Sequence, residues 1–230
     1  MTPATWEDQR RHVVRDALGV GIATGAYGVS FGAIGVASGL SVVQTCFLSA
    51  VMFTGGSQFA LAGVLGAGGA PLSSAVTAIL LGTRNALYGL RLATLLDLRG
   101  AGRRLVGAQL VIDESTAMAV AQPDRRSAQL AFWATGASVY VLWNAATLAG
   151  AVAGRALGDP ETYGLDAAVG AAFLALLWPR LADTTTRLVA VGAALVALVL
   201  IPLVPAGVPV MAAALVAVAV GLPGRSGAGR

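Results

Sequence analysis

The sequence predicts an all-α, polytopic integral membrane protein of seven to eight hydrophobic segments, some of them broken or re-entrant. Composition is the first reason. A soluble domain carries about a quarter charged residues, whereas this chain is 11% charged and 57% hydrophobic, with a mean hydropathy of +0.77. So few charges cannot cover a water-facing surface, and most of the surface is expected to face lipid. The second reason is a series of apolar runs near the length of about 20 residues that a bilayer crossing needs. The third is that two runs are interrupted at mid-length by polar residues, "TGGS" at 54–57 and "DE" at 113–114.

The net charge of +4 comes from arginines scattered at segment ends, with no basic stripe interleaved with aromatics, so no nucleic-acid partner is expected. There is no lysine, and alanine, glycine and arginine are heavily used, as in high-GC bacterial genomes. One cysteine, Cys46, leaves no internal disulfide framework. The opening "MTPATWEDQRRHVVRDA" is polar and charged, and does not read as a cleavable signal peptide.

The first span runs from Ala17 to Leu40, after a polar tail over 1–16. Gly21, Gly25, Gly28, Gly32, Gly35 and Gly39 recur in it at three- and four-residue steps and share one face. Such a face serves close helix packing or lines a path. Val42–Phe53 and Ser57–Leu65 come next, each about half a bilayer long. Leu72–Leu96 is long enough to cross despite Arg84 and Arg91, and "DLRGAGRR" after it is a loop. Leu105–Gln122 is apolar but interrupted by Asp113 and Glu114. Ala128–Ala153 is a clear span, and "GRALGDPETYGLD" is a polar, acidic connection. Ala167–Leu181, Leu188–Val204 and Val208–Leu222 complete the series, with a short tail over 223–230. "GLSVVQTCFLSAVMF" from Gly39 echoes "GLDAAVGAAFLALLW" from Gly164, which would suit duplicated halves.

Positively charged loops favour the cytoplasm, and Arg10, Arg11 and Arg15 place the N-terminus there. If every apolar segment crossed, the loop around Arg103 would fall outside, against that rule. The conflict disappears if residues 42–65 dip in and return. If the segment around Asp113 also re-enters, the remaining basic loops fall inside and the acidic one outside.

Chemistry is expected where charge sits at depth. An arginine at mid-span costs about 2.5–3.5 kcal/mol even on lenient insertion scales, so Arg84 needs a partner, a carbonyl cage or water. Arg84, Tyr88 and Arg91 share a helix face, and Arg91 lies near enough to the end to snorkel. Asp113 and Glu114 offer either a structural partner for Arg84 or a group that holds an ammonium or a coupling proton. Adjacent helix positions point about 100° apart, so both face one ligand only if the helix breaks there. An enzyme is not expected: there is no HExxH, "GGSQF" is not a GxSxG nucleophile elbow, no His or Lys in a span could serve as base for Ser57, and the only histidine, His12, lies in the polar tail. No catalytic residue, cofactor or metal site is assigned.

"YGVSFGAIGVASGLS", "MFTGGSQFA", "GAPLSSAVTAILLGTRNALYGLRLA", "IDESTAMA" and "YGLDAAVGAAFLALLWP" occur in that order. Together they resemble the AzlC family, the BrnF-like large subunits of branched-chain amino acid exporters, from about Gly21 to the C-terminus. The family pattern matches at Phe53, Gly55, Ser57, Gln58, Phe59, Arg84, Leu87, Tyr88, Gly89, Asp113 and Glu114. Gly82 and Asn85 depart from it, standing where the family usually has Asn and His. The resemblance implies export of leucine, isoleucine, valine and often methionine, driven by the proton gradient, together with a small hydrophobic AzlD-like subunit.

Residues 17–222 are accordingly expected to form one transmembrane transport domain in a bacterial cytoplasmic membrane. A zwitterionic amino acid needs donors for its carboxylate, an acceptor for its ammonium and an apolar pocket. Phe53, Gly55, Gly56, Ser57, Gln58, Phe59, Arg84, Asn85 and Tyr88 are the expected substrate contacts, with Phe31 as further wall. Asp113 and Glu114 are expected to carry the proton or bind the ammonium. Gly55 and Gly56 should break the helix, Ser57 should cap the next one, and Gln58 should face the path. A passive pore for small neutral solutes, or a scaffold for the small subunit, are the alternatives.

Overall fold

A computed structural model describes residues 5–156, 174, 177, 178 and 181–221. The tail over 223–230 lies outside the described residues, as do almost all of segment 167–181, the Gly164 copy of the echo and the acidic connection. Every regular element among the described residues is a helix. Residues such as Ile22, Phe47, Leu87, Leu90, Val141 and Leu188 are more than half exposed. Large apolar side chains spread over so much surface suit lipid and not water.

Two long helices form the frame. α1 (Trp6–Ala37) and α7 (Arg125–Ala156) are each 32 residues long and apolar enough to cross a bilayer. α1 begins earlier than its apolar run because Thr5 and Asp8 form a capping box and Glu7 and Asp8 occupy the positive first turn. Residues 6–16, expected as a separate tail, are therefore its first turns. The two helices run parallel. At their N-terminal ends Gln9 Nε2 donates to Asp124 at 3.3 Å, and the Arg126 guanidinium lies 3.8 Å over the Trp6 ring. Further along, Gly21 abuts Ser138, Gly25 abuts Leu142 and Gly28 abuts Trp143. A Cβ on Gly32 would overlap the Thr147 carbonyl oxygen, and one on Gly150 the Val29 carbonyl oxygen. Of the two roles open to the glycine face, these contacts show close packing: backbone meets backbone across α1 and α7.

Between the parallel pair the chain must return to its starting end, and α4 (Pro71–Leu96) makes that return. On each side of α4 a helical hairpin goes halfway and turns back. α2 (Val42–Val51) starts with a Ser41–Gln44 capping box beside the C-terminal end of α1, where Thr45 packs on Gly35. It descends until Phe53 meets Tyr140, near the midpoint of α7, with ring centroids 5.0 Å apart. α3 (Gly56–Gly66) climbs back, and Gly66 ends against Ser38.

α5 (Ala101–Gln109) and α6 (Asp113–Val120) form the second hairpin from the opposite end. α5 carries Gln109 up to the tip of the first hairpin, and α6 leads back to Asp124 beside Gln9. The two segments read as broken are therefore both broken, and both turn back. Helix-plus-hairpin is traced twice in opposite senses, with the hairpin tips meeting at mid-height. α8 (Thr184–Leu200) and α9 (Val208–Gly221) pack on each other, and the turn between them places Gly207 against Ser73 and Val64.

Candidate functional site at the meeting hairpin tips

A helix that ends inside a membrane protein leaves its last four carbonyls without intrahelical partners, and lipid offers none. For α2 these include the carbonyls of Ser49, Ala50 and Val51, while the Leu48 carbonyl accepts from the Met52 amide at 2.9 Å. Gln58 Nε2 donates to the Leu48 and Ser49 carbonyls, both at 3.3 Å. Gln109 Nε2 donates to Ala50 at 2.8 Å and Val51 at 3.2 Å, and the Tyr140 hydroxyl donates to Ala50 at 3.2 Å. Ser49, Ala50 and Val51 are all satisfied by side chains, which come from three different helices. Gln58 is fully buried and does not face the path as expected; it holds the end of α2. The turn itself depends on Gly55, whose φ of 60° and ψ of −92° suit glycine. Gly55 is the N-cap of α3 without any side-chain bond, so Ser57 does not cap this helix. Ser57 is buried beside Gly82 instead.

The second break is braced in the same manner. Ser115 Oγ donates to the Leu110 carbonyl at 2.6 Å and accepts from the Ile112 amide at 3.1 Å. Asn85 Nδ2 donates to the Val111 carbonyl at 3.0 Å. Asn85 thus acts on backbone. Tyr88 packs against the apolar core and lines neither the cavity at the tips nor the larger one beside it.

With both backbones secured, the two breaks aim their following helices at one place. The N-termini of α3 and α6 both open on a cavity of about 340 Å³, to which Phe53, Gly55, Gly56, Phe59, Arg84, Asp113 and Glu114 contribute. Arg84 Nη1 lies 3.2 Å from Asp113 Oδ2, and both side chains remain about a quarter to a third exposed. A Cβ on Gly56 would sit 3.5 Å from Arg84 Nη2, in ordinary contact, so the guanidinium lies beside the start of α3. Because α6 begins at Asp113, Asp113 and Glu114 occupy its first turn and both line the cavity. The helix breaks just before the pair, at Ile112.

The far wall is aromatic. Phe59 stands edge-on to Trp143 at 6.2 Å and to Phe31 at 5.7 Å, and Phe31 stacks on Trp143 at 6.4 Å. Phe59 and Trp143 line the cavity, while Phe31 supports them from behind. Thr24 and Tyr27 of α1 and Val139 of α7 also line it, with Thr54, Leu81, Ile112 and Leu177. Sequence reasoning missed them, although Thr24 and Tyr27 are polar interruptions of the glycine-rich run. It also missed the braces Gln109, Ser115 and Tyr140, of which Gln109, an amide in an apolar run, was the visible signal. The site therefore offers a cation, two carboxylates, two positive helix ends and an aromatic wall within one small volume.

The family model for the AzlC protein matches residues 19–157. The chain belongs to the AzlC family. The matched stretch takes in most of α1, both hairpins and all of α7, so every described residue of the cavity except Leu177 falls within it. No curated protein and no solved structure matches the chain. Membership of the AzlC family, with the apolar helices, gives a membrane protein with a transport-related function.

Proposed function

We propose that this AzlC protein is the large subunit of a secondary transporter that exports branched-chain amino acids (leucine, isoleucine, valine and also methionine) from the cytoplasm. The observation that carries the reading is the Arg84–Asp113 pair, 3.2 Å apart in a cavity with an aromatic wall. A zwitterion suits such a pair: its carboxylate takes Arg84 and the α3 amides, and its ammonium takes Asp113 or Glu114. One internal ion pair is exchanged for two, without change of net charge. The volume of about 340 Å³ lies at the small end of the roughly 300–1,000 Å³ range of ligand pockets, which suits one amino acid. Phe59, Trp143 and Val139 supply apolar contact for a branched side chain.

Proton coupling fits the same geometry. Protonation of Asp113 removes the charge that holds Arg84 and frees the guanidinium for a carboxylate. The arginine-rich end that carries Arg10, Arg11 and Arg15 faces the cytoplasm of a bacterial cell in this reading, and a small hydrophobic AzlD-like subunit completes the transporter. A dry, fully packed midplane would have favoured a scaffold; a cavity lined by charge favours transport.

The test loads a deletion strain with leucine-containing dipeptides and follows intracellular leucine. Restoring this chain together with the neighbouring small hydrophobic gene should lower the accumulation, and a protonophore should abolish the effect. Efflux indifferent to protonophore would point to a passive pore, and accumulation unchanged by the restored pair would remove the exporter reading.

A further inference from the structure

A second, larger cavity of about 690 Å³ lies between α4 and α5 on the N-terminal side of the site. It runs from Val51, Thr54 and Asn85 at mid-height, past Gly89 and Ala93, to Asp97 and Arg104 at the end where Arg125 and Gln129 bind the α4 terminus. Most of its walls are not those of the site. Yet Phe53 and Thr54 line both cavities, so the tip of the first hairpin is a partition one or two side chains thick.

We propose that the larger cavity is a water-filled access vestibule, and that Phe53 and Thr54 form the gate between it and the Arg84–Asp113 site. This rests on the transport reading above and extends it to a route. Three features favour water as the content. Thr54, Asn85 and Gln109 place polar groups at one end of the cavity and Asp97 and Arg104 at the other. Its lower end is marked by Asp97, which is held to Arg99 and Arg125 at 3.3 and 3.5 Å, so that end already meets solvent. Its upper end stops at the one stretch of non-helical backbone between α2 and α3, which changes shape at less cost than a helix does. Phe53 is buried against Tyr140 in an edge-on contact, a closed position from which a rotamer change opens the partition. The carbonyls behind it stay held by Gln58, Gln109 and Tyr140, so the gate moves without loosening α2.

The test is cysteine accessibility in the full chain, co-expressed with the neighbouring small gene, in a Cys46→Ala background. A charged, membrane-impermeant thiol reagent is applied to either face of membrane vesicles, with Asp8→Cys marking the N-terminal face. Ala93→Cys in the vestibule should label from that face at least tenfold faster than Leu90→Cys on the outer side of α4. Thr24→Cys, in the site, should label slowly, and at least tenfold faster once Phe53→Ala is added. Thr54→Leu should slow it further, while an unchanged Ala93→Cys rate shows that the vestibule is intact in both variants. Equal rates for Ala93→Cys and Leu90→Cys mean that lipid or another chain fills the cavity, and overturn the vestibule. A Thr24→Cys rate indifferent to both Phe53→Ala and Thr54→Leu overturns the gate. Leucine plays no part in the readout, so a wrong substrate leaves these rates as expected and shows only in the efflux assay.

Discussion

Arg84 and Gln58 are both polar side chains in apolar sequence, and the structure gives them opposite tasks. Arg84 reaches the cavity and meets Asp113, whereas Gln58 turns to backbone. Their substitutions should separate accordingly. Arg84→Ala and Asp113→Asn should each lower leucine efflux at least tenfold at matched protein level, because each removes one half of the zwitterion site. Removing one partner of a partly buried pair leaves the other charge without it, so Arg84→Ala should also lower yield, and Arg84→Ala/Asp113→Ala should recover yield without recovering efflux. Quantified membrane fractions and efflux on the same cells check both expectations. Gln58→Ala strips the Ser49 carbonyl of its side-chain donor and should cost about 1–2 kcal/mol. It should lower the melting temperature in detergent more than it lowers efflux per folded molecule. The sequence marked both residues as anomalies but could not tell their roles apart. An amide in an apolar run serves a ligand or a carbonyl equally well, and only the position of the α2 terminus decides. Asn85, whose amide holds the Val111 carbonyl, was misread for the same reason.

Among the elements, α1 and α7 are held by shape more than by any polar bond. Gly32→Ala and Gly150→Ala drive a methyl into backbone that cannot give, since the atoms met are the Thr147 and Val29 carbonyl oxygens. Overpacking of this kind costs about 1–3 kcal/mol or more, and each variant should show a clear loss of thermal stability. Gly19→Ala on the same helix meets nothing and should be neutral. The period of these glycines was legible in the sequence; their partner was not, because any helix with a matching small-residue face would have served. The start of α7 adds a pH-dependent tie. Asp124 accepts from the Ser127 side chain at 2.7 Å, the Ser127 amide at 3.0 Å and Gln9 at 3.3 Å, and these bonds hold its carboxyl below the usual range. With the folded pKa depressed, the stabilisation is complete above the unfolded value of about 3.9. It is lost as pH falls through the lower folded value. Hydrogen exchange at the first turn of α7 should therefore rise below about pH 4, and Asp124→Asn, which cannot titrate, should remove that rise.

The whole molecule is built on two hairpins that enter from opposite ends and touch at their tips, an arrangement suited to sites at the bilayer midplane. Its outline was readable in part without coordinates, because the arginine-rich loops obey the charge rule if both interrupted segments turn back. The bracing of one tip by the other was not readable: Gln109 of the second hairpin closes the carbonyls of the first. That bond joins residues 59 positions apart, and no local pattern announces it. It also supplies a test of the whole arrangement. In a Cys46→Ala background, Val51→Cys and Gln109→Cys should be linked by a short, reducible bis-thiol reagent. Gln109→Cys paired with Val43→Cys, at the distant start of α2, should not link. If transport requires the tips to part, the linked protein should lose efflux while keeping its melting temperature, and reduction should restore it. Failure of Val51→Cys and Gln109→Cys to link would remove the meeting of the tips itself. Linkage with full efflux would keep the fold and confine the moving part to residues 53–55, beyond the point where the cross-link holds α2.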